Sequence, residues 1–277
     1  MKSEGTGIGE NPILAIDLPG LWEYQGSIAR VMGWERKSDP KVSPFLLRSR
    51  NSGSGTDMES NHAFNPQERD AVYRAIRERR DVRRFKSDPI APDTLRRVIE
   101  AALQAPSVGY SQPWNLILIS NASIRVQVKE AFGRANAEAQ KLFKDERAEK
   151  YSSLKLEGIL DSAMNICVTC DRKRFGPVIL GRTSQPDMDL YSAVCAVQNL
   201  WLAARCEGVG VGWVSILKPE ELTAILKLPD GVVPVAYLCL GYTDVFACEP
   251  ELKTAGWLPE IPKSDLIFQD FWGQKPT

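Results

Sequence analysis

From residue 64 onward, apolar positions recur with two different spacings, and their alternation lays out a chain of helices and strands. Asn65-Pro66-Gln67-Glu68 reads as a helix start. Asn65 can cap, Pro66 suits the first helical position, and Glu68 stands where a capping box needs it. Val72, Ala75 and Ile76 then fall on one face. A second helix opens near Pro92-Asp93, with Leu95, Val98, Ile99, Ala102 and Leu103 at helical spacing, and Pro106 stops it. Leu116 to Ile119 is a short apolar run, expected to be a buried strand. A third helix follows Asn121, carrying Ile124, Val128 and Phe132 on one side.

Residues 135–150 are polar and charged, a composition that suits an exposed helix or a lid, and the lid is placed at about 135–160. Asn165 to Thr169 reads as a strand. Asp189 to Cys206 is apolar almost all round, which predicts a central buried helix closed by Gly208. A strand over Val209–Ile216, a short helix over Pro219–Leu226 and a strand over Val232–Leu240 complete the pattern. The expected class is a mixed α and β layered domain.

Residues 1–57 break this rhythm. They are rich in Gly, Ser and Pro and end in Asn51-Ser52-Gly53-Ser54-Gly55-Thr56-Asp57, a flexible composition. They are read as an N-terminal extension, and 58–277 as the folded domain. Thirty-five basic and thirty-five acidic residues leave no net charge. A global field that would attract nucleic acid or an anionic membrane is therefore excluded, and anion recognition must be local. No apolar run approaches the roughly 20 residues of a membrane span, and the N-terminus lacks a signal-peptide pattern. A cytoplasmic location is expected. The six cysteines sit mostly in apolar runs, as buried small hydrophobes do. Cys167-Val168-Thr169-Cys170 has no second pair and His62 is the one histidine, so no metal site and no histidine-based triad is expected.

Three segments carry candidate chemistry. Arg79-Arg80-Asp81-Val82-Arg83-Arg84 places four guanidinium groups around one carboxylate at a helix end. Such forks bind phosphate, although a solvated basic helix end has the same composition. Because of that positive surround, the ionised form of Asp81 is expected to be favoured. Ala105 to Trp114 is a loop stiffened by proline and glycine in which Ser107, Ser111 and Gln112 offer hydrogen bonds; it suits close approach to a flat ligand, or a plain connection. Gly208-Val209-Gly210-Val211-Gly212 follows a helix and enters a strand, the reverse of the dinucleotide fingerprint, so NAD binding by that route is rejected.

Taken in order, the arginine-rich helix end, the Pro106-Ser107-Val108-Gly109 loop running to Gln112-Pro113-Trp114, and the helix leading into Gly210-Val211-Gly212-Trp213 resemble the nitroreductase family over about residues 64–245. The resemblance implies an α+β FMN-binding fold with a central, mostly antiparallel sheet flanked by helices, and a homodimer with its flavin sites between subunits. Asp81 stands where most of the family has serine. The strings Ala105 to Gly109, Ser153 to Ile159 and Cys167 to Asp171, the long block from Asp189 to Ser215, and Glu249 to Leu252 with Gly256-Trp257 are similar to the branch that makes 5,6-dimethylbenzimidazole.

That branch implies O2-dependent fragmentation of reduced FMN to 5,6-dimethylbenzimidazole, the lower ligand of cobalamin, and erythrose 4-phosphate. By the resemblance, Arg79, Arg80 and Arg83 hold the phosphate and ribityl chain, and Ser107 with its neighbours contacts the ring. The Gly109 amide lies where O2 is held, and Pro106, Val82, Gly212 and Val214 complete the FMN site. Asp81 and Ser215 are the catalytic side chains. FMNH2 would be substrate, with NAD(P)H acting indirectly through a separate flavin reductase. An NAD(P)H-dependent nitro- or quinone-reductase is the alternative, and a flavin-sequestering protein would need the arginines without Asp81 or Ser215. Leu103 stands where a histidine is expected in many relatives.

Overall fold

The computed structural model describes residues 62–276, so the expectation for residues 1–57 lies outside the described residues. Helix α1 spans Pro66–Glu78 and α2 Pro92–Leu103; strand β1 spans Trp114–Ile119. Then come α3 (Ala122–Gln140), α4 (Asp145–Ser153), β2 (Met164–Asp171), α5 (Met188–Cys206), β3 (Gly210–Val214), α6 (Pro219–Leu226), β4 (Val232–Gly241) and the one-turn α7 (Glu251–Thr254). The capping box forms as expected: Glu68 N–H donates to Asn65 Oδ1 at 2.9 Å, and Asn65 N–H donates to Glu68 Oε2 at 3.2 Å.

Four strands pair antiparallel in the order β1-β2-β4-β3, so β3 is an edge. Strand β2 is buried on both faces, which explains why its sequence shows no apolar–polar alternation, and its polar Asn165 and Thr169 are buried with the rest. On one face Cys167, Tyr237, Cys239 and Val214 meet Val128 and Phe132 of α3 and Leu222 of α6. The alternate positions Ile166, Val168, Leu238 and Leu240 point the other way, where α5 packs against all four strands. Leu200 and Leu238 have no exposed surface, and truncating either belongs to the class of change that costs about 2–5 kcal/mol. Gly208, at φ 73°, closes α5 as its sequence position implies.

Several expectations need correction. Val72 and Ile76 do not share Ala75's burial; α1 rests on α5 by a narrow stripe, leaving both about half exposed. Leu103, at the last residue of α2, is exposed because the helix ends before the core closes over it. Cys167, Cys170 and Cys239 are buried, whereas Cys206 and Cys248 are exposed at a helix end and in a loop. The strand expected over 209–216 spans only Gly210–Val214, although β4 continues beyond Tyr237, the partner of Val214. Within 135–160, residues 135–140 and 145–153 are helical and mostly exposed, as their composition predicts, while Phe143 stacks on Tyr151 at 4.8 Å and Ile159 is fully buried.

Candidate functional site

The chain leaves α1 in an extended conformation at Arg79 and runs along the free edge of β3. Asp81 forms a parallel bridge with Val211, and Val82 N–H donates to Val211 O at 2.9 Å. This approach is possible only beside glycine: a Cβ on Gly212 would lie 2.1 Å from Val82 O, and one on Gly210 would press the Val82 side chain at 3.0 Å. The glycines between helix and strand, wrong for a dinucleotide, thus admit the arginine loop to the sheet edge.

Trp201 of α5 holds that loop from the other side. Its indole N–H donates to Arg80 O at 3.1 Å, and the Arg79 guanidinium lies 4.5 Å from its ring centroid. Asp81 Oδ1 accepts the Trp213 N–H at 2.9 Å, and Oδ2 accepts from Arg83 at 2.5 Å. Arg83 also reaches Glu251 Oε2 at 3.3 Å, and Arg84 reaches Glu251 Oε1 at 3.2 Å. Arg80 is turned onto the carbonyls of Arg77, Arg79 and Cys248. The Nε atoms of Arg80 and Arg83 are buried without a hydrogen-bond partner, which is costly unless a further acceptor completes the site. Among the described residues Arg79 makes no ion pair.

Arg80 to Arg84 line a cleft of about 620 Å³ with Phe85, Thr243 to Val245, Ala247 to Glu249, Glu251 and Thr254. That is the size of a small-molecule site. Lys86 pairs with Asp244 and Lys253 with Glu249, so the acids left to oppose the arginines are Asp81 and Glu251. Burial raises the Asp81 carboxyl above the usual aspartate range; Arg83, the Trp213 amide and Arg79 pull it down, and Glu251 pushes it up. The net direction is upward, which corrects the expectation that the arginines would dominate. A desolvated carboxylate loses more from water than these partners return.

The second candidate loop lies elsewhere. Val108 N–H donates to Ser192 Oγ near the start of α5, and Gln112 N–H donates to Ser107 Oγ, both at 3.0 Å. Gly109, Tyr110 and Gln112 are left-handed at φ 53°, 54° and 43°, a strained backbone of the kind that gathers at functional sites. A Cβ on Gly109 would meet Ile179 at 2.8 Å. The Ser111 hydroxyl is buried and unpartnered. Ser192 and Trp201 are nine residues apart, so the two loops are separated by roughly 14 Å along the helix. The cleft lining includes none of residues 106–112.

A family model described as the nitroreductase family matches residues 76–242. The chain belongs to the nitroreductase family. Among its relatives, a 5,6-dimethylbenzimidazole synthase of Rhodospirillum rubrum is 40% identical over 205 residues, covering 74% of this chain and 97% of that protein. A protein of the same name from Rhodobacter capsulatus is 37% identical over 199 residues, 72% of this chain and 96% of its own length. Iodotyrosine deiodinase, solved with FMN and 3-iodo-L-tyrosine, shares the fold at a TM-score of 0.56 and 19% identity, over 72% of this chain and 98% of that one.

Within this nitroreductase fold, Arg79, Arg80, Asp81, Val82, Arg83 and Gly212 lie together at the edge of β3, whereas Val214 packs in the core against α3 and α6, and Pro106, Ser107 and Gly109 do not line the arginine cleft. Val82 and Val214 are buried with their side chains inward, so only their backbones can face a ligand. Ser215 is exposed, one residue past β3. Sequence reasoning missed Trp201, hidden inside an apolar helix, and Glu251, about 170 residues beyond the arginines it joins. Glu251 belongs to the Glu249 to Leu252 stretch, but nothing local to it signals its partner.

Proposed function

We propose that this nitroreductase-family chain is a 5,6-dimethylbenzimidazole synthase that takes reduced FMN and O2 to 5,6-dimethylbenzimidazole and erythrose 4-phosphate. The observation that carries the reading is a carboxylate, Asp81, placed inside an arginine loop and presented to the cleft by the Trp213 amide. The 40% identity to a protein of that name over 97% of its length supports it.

The residues fit the group. Arg79, with the unpartnered Nε atoms of Arg80 and Arg83, would hold the phosphate. Ser107 and the Gly109 amide would contact the ring and hold O2 there. Reduced flavin supplies the electrons that O2 accepts. Asp81 would hold or move a proton at the ribityl C1′ or a ring nitrogen, and the upward displacement of its pKa makes it a stronger base than a free aspartate. Ser215 would orient the reacting part, and residues 135–160 would exclude water.

As the family resemblance implies, one FMN would take the two loops from two chains, since within one chain residues 106–112 take no part in the arginine cleft. The homodimer this requires has a candidate surface: Val72, Tyr73 and Ile76 of α1 and Tyr191 and Val194 of α5 are exposed apolar side chains. Light scattering should show two copies per particle; a monomer with full FMN affinity would refute this arrangement. Among the described residues no helix is long and apolar enough to cross a membrane, and a cytoplasmic location accompanies the reading.

The deciding experiment is aerobic incubation with FMN, NAD(P)H and a separate flavin reductase, followed by chromatography of the products. The benzimidazole is expected. Intact FMN with peroxide, or direct NAD(P)H-dependent reduction of a nitro compound or quinone, would overturn the proposal.

A further inference from the structure

Glu251 occupies the arginine cleft in a manner that resembles a bound anion. Its two oxygens each take a different guanidinium, Arg83 and Arg84, at 3.3 and 3.2 Å. Both distances exceed the roughly 2.7–2.9 Å of a tight charge-assisted pair, whereas Arg83 meets Asp81 at 2.5 Å. The Glu251 and Arg84 side chains are 33% and 69% exposed, so water and salt screen their contact. The adjoining Arg80 and Arg83 Nε atoms are buried and lack acceptors. A phosphate monoester brings about two charges and three acceptor oxygens, against one charge and two oxygens for Glu251.

Glu251 is also mechanically tied to the polar helix α4. It begins α7, and the chain then turns through Gly256, whose carbonyl accepts from Lys150 at 3.4 Å. Trp257 packs edge-on to Phe143 at 5.2 Å, lies 6.2 Å from Tyr151, and sits beneath Arg147 at 5.7 Å. At the other end Cys248 O caps Arg80. Residues 248–257 therefore form a strap with one end on the arginines and the other on α4.

We propose that Glu251 is a built-in stand-in for the ligand's phosphate, and that a phosphate monoester displaces it and loosens the strap's hold on α4. The inference rests on reading the arginine cleft as a phosphate site. Ligand arrival would then be felt at residues 145–153, part of the segment to which the proposed function gives the exclusion of water.

Titration calorimetry with inorganic phosphate and with FMN, on the full chain and on Glu251→Gln and Arg83→Ala, tests this. Glu251→Gln removes the competing charge and keeps the shape, so both ligands should bind about tenfold tighter, equivalent to about 1.4 kcal/mol. Unchanged or weaker binding would show that Glu251 merely orients the arginines, and the inference falls. Arg83→Ala should bind both ligands more weakly; if it binds them as the parent does, the phosphate site itself is misplaced. Amide exchange at 145–153 should speed up when phosphate saturates the parent. It should already be fast without phosphate in Trp257→Ala, which cuts the link while leaving the arginines in place. Exchange that ignores phosphate in the parent would refute the coupling.

Discussion

The two ends of helix α5 carry two different kinds of site. At its C-terminal end the arginine loop is built from charge, with three guanidinium groups, four carboxylates and two unpartnered Nε atoms around the cleft. At its N-terminal end the 107–112 loop is built from backbone, with three left-handed residues and scarcely a charge. The first suits recognition of a phosphate and the handling of a proton. The second suits a flat, neutral ring approached by amides. A ligand with a charged tail and an aromatic head, as the proposed function requires, would draw on both.

The largest expected effect separates chemistry from binding within the charged end. Asp81→Asn should keep FMN bound while benzimidazole production falls by roughly 10²–10⁴-fold, the usual size of an acid–base contribution. Reduced FMN should instead return intact with peroxide. Production at the parent rate would leave Asp81 as a structural partner of the arginines. Ser215→Ala should fail in the same way but more mildly.

Next in size are the glycines, which set the two ends against each other. Gly212→Ala would drive a methyl group into the Val82 carbonyl, so the arginine loop must leave the sheet edge and inorganic phosphate binding should be lost. Gly109→Ala strains a left-handed position at the other end. It should weaken FMN while leaving inorganic phosphate affinity as it was. Equal effects of both variants on phosphate would dissolve the division of labour.

A smaller change is expected from the guanidinium groups taken singly. Arg79→Ala or Arg83→Ala should weaken FMN by about 1–3 kcal/mol, the scale of hydrogen bonds to charged groups. Riboflavin should be much less affected, and equal losses for the two ligands in calorimetry would place the phosphate elsewhere.

The smallest effect is a pH dependence. Because burial raises the Asp81 pKa in the folded state, its contribution to stability is fully present below the unfolded value and is lost as pH rises through the folded one. Asp81→Asn lacks that loss. In denaturant melts without ligand, its stability relative to the parent should therefore improve as pH rises from about 4. The opposite trend would mean that the arginines outweigh burial after all.

Much of this arrangement was legible along the chain, for local reasons. The capping box at Asn65, the prolines that open α1, α2 and α6, and the all-round apolar α5 each act within a few residues. The arginine loop was visible as a charge cluster. The glycines 210 and 212 were visible only as a puzzle, because the group they make room for lies 130 residues earlier. The net rise of the Asp81 pKa was not legible, since neighbouring charges appear in a sequence and burial does not.

The sequence by itself determined the periods, the turns, the family and the residues able to meet a phosphate, because these depend on side-chain chemistry and short spacing. Tertiary structure decided which of them meet. The pairing of residues 81–82 with the edge of β3, the clasp of Trp201, the carboxylate of Glu251 and the roughly 14 Å between the two loops all arise from contacts between distant segments. Those contacts form only when the sheet and α5 have buried their apolar faces, and no local pattern encodes their geometry.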